Sequence, residues 1–243
     1  MQLWQILAIG ACAGLASLML APIERVVSSR MSPIMLRAST LLQPALLTAL
    51  AIWAGCVLGP RVGLGAPLVE AILGHGDVRS VFLLAVPIAF LAGAFLAMVL
   101  VFYELGLAPR LPKSPLAARL GKPPLATRLL YGGIVEELIA RWGLISLFVW
   151  IAWRLDQRPT HIPGAYYWVA ILASAVLFAF GHLPVLFAAG RPPAPIVIAA
   201  TAANGVGGLV FGWLFWRKGI EAAMIAHAVA HALAAFAVRG RSR

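Results

Sequence analysis

Residues 132–143 read GGIVEELIARWG, with two adjacent acids, Glu136 and Glu137, and a base, Arg141, inside an otherwise apolar run. On a soluble helix these would form an ordinary solvated face; inside lipid they are costly groups kept for a reason. Which setting holds decides the fold. Hydrophobic residues make up 62% of the 243 and charged residues only 11%, with a mean hydropathy of +0.94. A soluble domain carries about 25% charged residues, so the deficit points to lipid as the solvent. Several apolar runs approach or exceed the roughly 20 residues a helix needs to cross a bilayer. The short alternating segments of a β-barrel are absent. The expected fold class is all-α, a polytopic transmembrane helical bundle.

Working outward from that stretch, seven spans are expected at about 2–22, 38–59, 81–105, 129–153, 165–190, 196–216 and 220–238. Breakers such as GPRVGLG and RPPAP separate them. The long basic connector GLAPRLPKSPLAARLGKPPLAT carries prolines that forbid a continuous helix. The segment 60–80, containing LVEAIL, reads as a short interfacial or re-entrant helix. The N-terminal run lacks a basic n-region and reads as a retained span rather than a signal peptide. Gly10 with Gly14, and Gly208 with Gly212, are small-xxx-small pairs that allow close helix approach. Cys12 and Cys56 fall in apolar runs and read as free thiols rather than a disulfide framework. The chain reads as one integral membrane domain over 1–243, with N-terminal spans over 1–127 and a core over 128–238.

The net charge of +11 would suggest nucleic acid in a soluble protein. Here the basic residues cluster between spans, where topology and anionic headgroups account for them, and no nucleic-acid partner is expected. One side of a seven-span arrangement collects Arg25, Arg30, Arg37, Arg110, Lys113, Arg119, Lys122, Arg128, Arg191, Arg239, Arg241 and Arg243; the other collects Arg61, Arg79, Arg154, Arg158, Arg217 and Lys218. Twelve against six places the first set in the cytoplasm, with the N-terminus out and the C-terminus in. Trp4, Trp150, Trp153, Tyr166, Tyr167, Trp168, Trp213 and Trp216 fall near the opposite boundary, as an interfacial aromatic belt would. The Ala, Arg, Gly and Pro bias points to a GC-rich bacterial genome, and hence to a bacterial inner membrane.

Depth brings the polar groups together. Glu136 lies eight residues past Arg128, His182 nine before Arg191 and His231 eight before Arg239. At about 1.5 Å per residue, all three reach roughly 12–14 Å below the same boundary. His227 is one turn further along, and Asn204 arrives at that level too. Glu137 and Arg141 are spaced i,i+4 and can pair on one face, while Glu136 is rotated about 100° away. His227 and His231 are also i,i+4. A lone His182 reads as an interhelical hydrogen-bonder, and EExxxR alone as a packing network; several helices sharing one polar layer point to a site. His75, Asp77 and His161 read as solvated loop residues.

These residues resemble the CAAX protease and bacteriocin-processing (CPBP) family of intramembrane proteases. EELIAR matches its EExxxR motif, FAFGH (178–182) its FxxxH motif, and GWLFWRKGIEAAMIAHAVAH its third region, in the family's order. The resemblance covers about 128–235 and implies a catalytic core in the last four spans. It implies that Glu136 activates a water with help from His182, that His227 and His231 support the oxyanion, and that Glu137 and Arg141 hold the site. The third motif usually carries Asn where this chain has His231. A neutral imidazole still donates one N–H.

The expected function is an endopeptidase acting on a membrane-associated or lipidated peptide, in contact with membrane lipids. Metal-free, glutamate-type catalysis is favoured, with no cofactor. The alternative is zinc held by Glu136, His182, His227 and His231, although no HExxH is present. Two other readings are a non-enzymatic scaffold or bacteriocin-immunity-type protein, and a metal or proton transporter. A transporter would want a polar path across both leaflets, whereas these polar groups lie mainly in one.

Overall fold

In the computed structural model, residues 1–23, 32–113, 121–188 and 190–239 are described, and among them there is no strand. Five arginines of the charge count (Arg25, Arg30, Arg119, Arg241 and Arg243) lie outside the described residues. The elements are α1 (Leu3–Ser17), α2 (Pro33–Leu58), α3 (Pro67–Glu70), α4 (Val78–Val101), the helical run α5 (125–155), α6 (Gly164–Gly181), α7 (Leu183–Phe187), α8 (Ala194–Lys218) and α9 (Ile220–Arg239). Six stretches are long and apolar enough to cross a membrane: Leu3–Leu20, Pro33–Val62, Val78–Arg110, Gly164–Phe187, Ala194–Lys218 and Ile220–Arg239. The seventh long helix, α5, is the one that carries Glu136, Glu137 and Arg141.

Local chemistry explains where the helices begin and end. The second starts at Pro33 rather than near 38, because Ser32 caps it by accepting from the Met35 N–H at 3.4 Å, and proline suits the first helical position. Asp77, expected to be merely solvated, caps α4 by accepting from the backbone of Arg79 at 3.0 Å and from the Ser80 hydroxyl. Those bonds, the Ser80 hydroxyl foremost, hold its carboxyl below the usual carboxylate range. The fifth span does not run unbroken from 165 to 190: it breaks at His182. Pro184 has no N–H to offer the carbonyl one turn back, so the helix ends and a short one restarts.

α5 lies at the centre, packed against α1, α2, α6 and α9. It winds wide, with π-type turns over Arg128–Glu136 and Leu138–Ile145 before an α-helical end over Ser146–Leu155. Val135, Leu138, Trp142, Ile145 and Val149 are fully buried along it. The N-terminal spans therefore wall the helix that bears the charges. Elsewhere α4 packs on α9, and α8 on α6. The α8–α6 approach depends on Gly208, where a Cβ would come within 2.7 Å of Ala175 Cβ. The outer faces carry Leu50, Trp53, Leu91, Met98, Val169 and Phe236, each exposed. Such a continuous apolar exterior suits acyl chains rather than water, and the protein is an integral membrane protein. Cys12 is exposed and Cys56 half-buried, both free.

The segment after α2 folds into the bundle. Val62, Leu64 and Ala66 are buried, and the Tyr167 hydroxyl donates to the Val62 carbonyl at 2.7 Å. The Ile220 N–H donates to Gly65, and the Val69 N–H to Glu221 Oε1 at 2.7 Å. At the same end Tyr167 stacks on Trp216 with centroids 4.8 Å apart, and Trp168 meets Trp216 edge-on at 5.9 Å. Part of the expected aromatic belt is thus in direct contact.

Candidate active site

Adjacent carboxylates on α5 have different surroundings. Glu137 is fully buried, and its Oε1 lies 3.1 Å from Arg141 Nη1, one turn on. The same oxygen lies 2.7 Å from His227 Nδ1 on α9, so one carboxylate ties the central helix to the last one. Arg141 is as buried as Glu137. Its guanidinium carbon sits 4.6 Å from the Phe178 ring centroid and 5.3 Å from that of Phe211, within cation–π range of both. The aromatic faces offset part of the cost of burying the cation.

Glu136 faces elsewhere. Its side chain keeps 21% exposure, and its Oε1 stands 3.8 Å from Nε2 of His182, whose own exposure is 38%. His182 is held where α6 breaks: its Nδ1 lies 2.8 Å from the Phe178 carbonyl oxygen, and its ring meets Phe178 edge-on at 4.7 Å. A carbonyl only accepts, so Nδ1 carries the hydrogen; in the neutral ring, Nε2 presents a lone pair toward Glu136. A lone pair and a carboxylate oxygen facing each other at 3.8 Å need a donor between them.

His227 follows the same logic. Its Nδ1 donates to Glu137, its ring stacks on Phe211 at 4.6 Å, and its Nε2 faces Gly132. A Cβ at Gly132 would lie 3.1 Å from that nitrogen, so the glycine leaves the imidazole room. His231, one turn further, has its ring 5.0 Å from that of His227, and its Nδ1 is buried without a hydrogen-bond partner. Asn204 does not join them; its amide donates to the Ala200 carbonyl of its own helix at 2.9 Å.

The expected site residues thus form two groups, Glu136 with His182 and Glu137 with Arg141, His227 and His231. Phe178 and Phe211 bridge them through Arg141. The zinc alternative required Glu136, His182, His227 and His231 to converge. Among the described residues no three His, Cys, Asp or Glu side chains group as a metal ion requires. The donor set as placed does not fit zinc. Spacing alone missed the Glu137–His227 contact and both phenylalanines. The His182 break had a signal in Pro184. Glu221 could have been noticed as an acid in the first turn of the last span.

Comparison with known proteins adds an independent observation. No curated protein and no solved structure matches the chain. Residues 122–233 match the family model described as type II CAAX prenyl endopeptidase Rce1-like. That interval contains every residue of both polar groups. From the loop before α5 to the last turns of α9, this chain is similar to the Rce1-like type II CAAX prenyl endopeptidases.

Proposed function

We propose that the protein is an intramembrane endopeptidase of the glutamate type, with Glu136 as general base. The observation that carries the reading is the division of labour between neighbouring acids. Glu137 is fully buried with its Oε1 held by Arg141 and His227, whereas Glu136 is part-exposed and faces His182 across 3.8 Å. One water between Glu136 and His182 Nε2 satisfies both acceptors by donating a hydrogen to each. Glu136 then takes a proton as the water oxygen attacks the scissile carbonyl carbon. The developing oxyanion needs donors, which His227 and His231 supply. His227 can donate from Nε2 only as the imidazolium, the form whose charge Glu137 neutralises. Collapse of the tetrahedral intermediate breaks the C–N bond, and the amine leaves with the proton carried by Glu136 or His182. No metal is required, since the base itself generates the nucleophile.

The substrate class is a membrane-associated or lipidated peptide that reaches the site from the membrane. The basic side of the bundle is assigned to the cytoplasm of a bacterial cell. Comparing membrane-peptide termini from cells carrying the native chain with those carrying Glu136→Gln tests this. Termini that vanish with the substitution support the reading; identical sets of termini overturn it.

A further inference from the structure

At the end of the bundle away from these residues, a cavity of about 310 Å³ is lined by Arg61, Trp150, Trp153, Arg154 and Arg158. Three guanidinium groups line one space and no carboxylate does. Asp156, the acid nearest in sequence, does not line the cavity and accepts from the Tyr166 hydroxyl at 2.5 Å. Three guanidinium groups around one space repel one another, and an arrangement that holds them suits an anion.

The cavity is assembled with some strain. Arg154 lies over the Trp150 ring at 5.5 Å, and Arg158 over the Trp153 ring at 6.0 Å, which orients both cations. Gln157 and Arg158 are consecutive non-glycine residues in the left-handed region, at φ 54° and 62°. Such backbone costs on the order of 1 kcal/mol or more per residue. It is locked by the Arg158 N–H donating to Trp153 at 2.9 Å and by Trp153 Nε1 donating to Pro159 at 3.1 Å. Arg61 arrives from the other side, on the turn after α2, next to the fully buried Val62.

We propose that this cavity binds the phosphate of an anionic membrane phospholipid. Arginine forks match phosphate oxygens in pairs, and tryptophan is favoured at headgroup level. A lipid is favoured over a soluble phosphate because Leu155, 81% exposed, and Ile151, 39% exposed, sit on the same helix end and offer apolar surface for acyl chains. The site is separate from the peptidase residues and stands or falls without them.

The test uses the full chain in detergent, with native mass spectrometry and thermal unfolding read in parallel. Phosphatidylglycerol should remain as an adduct and raise the unfolding temperature, with phosphatidylcholine at least about tenfold weaker, equivalent to roughly 1.4 kcal/mol. Arg154→Gln with Arg158→Gln should weaken the adduct about tenfold or more, with peptide cleavage unchanged. Arg61→Gln, on a different element, should weaken it separately and serves if the double variant fails to fold. Equal retention of both lipids, or retention of phosphatidylglycerol by the folded variants, would overturn the proposal. So would glycerol phosphate alone protecting as well as the lipid, since that identifies a soluble-phosphate site.

Discussion

Oε1 of Glu137 is shared between Nδ1 of His227 at 2.7 Å and Nη1 of Arg141 at 3.1 Å, deep in the protein. A single carboxylate oxygen thereby joins two helices whose residues are far apart in sequence. Removing Arg141 leaves a buried carboxylate without its counter-ion, and that asymmetry yields the first prediction.

Arg141→Met should destabilise the protein by about 3–5 kcal/mol, the usual cost of breaking a buried ion pair from one side. Adding Glu137→Gln to that variant should cost less than the sum of the two single changes, because no uncompensated carboxylate remains. Unfolding of the two single variants and the double variant, measured in the same detergent, gives the coupling. Strict additivity would show that the pair is not energetically linked.

Packing gives a cleaner contrast on one helix. Gly208→Ala would place a methyl 2.7 Å from Ala175 Cβ, and should cost about 1–3 kcal/mol through forced separation of α8 and α6. Gly205, three residues earlier, has nothing within 4 Å of its Cβ position. Gly205→Ala should be neutral or stabilising by about 0.5–1 kcal/mol through helix propensity. Unfolding midpoints in the reverse order would contradict the close approach.

His231 distinguishes two chemistries. If it serves as a hydrogen-bond donor to the oxyanion, His231→Asn keeps an N–H donor at that position and should retain substantial cleavage. Under a zinc mechanism the same change would release metal. Elemental analysis of the purified protein beside the cleavage rate reads both outcomes, and metal lost in step with activity would refute the metal-free reading.

Much of this was legible in the chain because lipid makes it so. A charge deficit and long apolar runs permit few architectures, whereas the common depth expected for Glu136, His182 and His231 assumed unbroken helices, and α6 breaks at His182. The Glu137–Arg141 pair also followed from spacing, since i,i+4 contacts are local. What escaped was everything set by packing between helices. Nothing in the sequence announces that His227 turns to Glu137, or that Phe178 and Phe211 face the Arg141 guanidinium. A single convergent cluster was expected, and two groups joined through Arg141 are observed. The break at His182 was readable from Pro184, yet a run of apolar residues drew the span through it. The folding of Val62, Leu64 and Ala66 into the core was hidden by glycines and prolines that mark a loop without saying where it packs.

The most direct measurement compares Glu136→Gln with the native chain, both purified and folded, in a peptide-cleavage assay with unfolding recorded on the same samples. A general base contributes about 10²–10⁴-fold, so the variant should lose at least about a hundredfold in kcat/KM, with its unfolding midpoint unchanged. A folded variant that cleaves at the native rate would remove Glu136 from the chemistry.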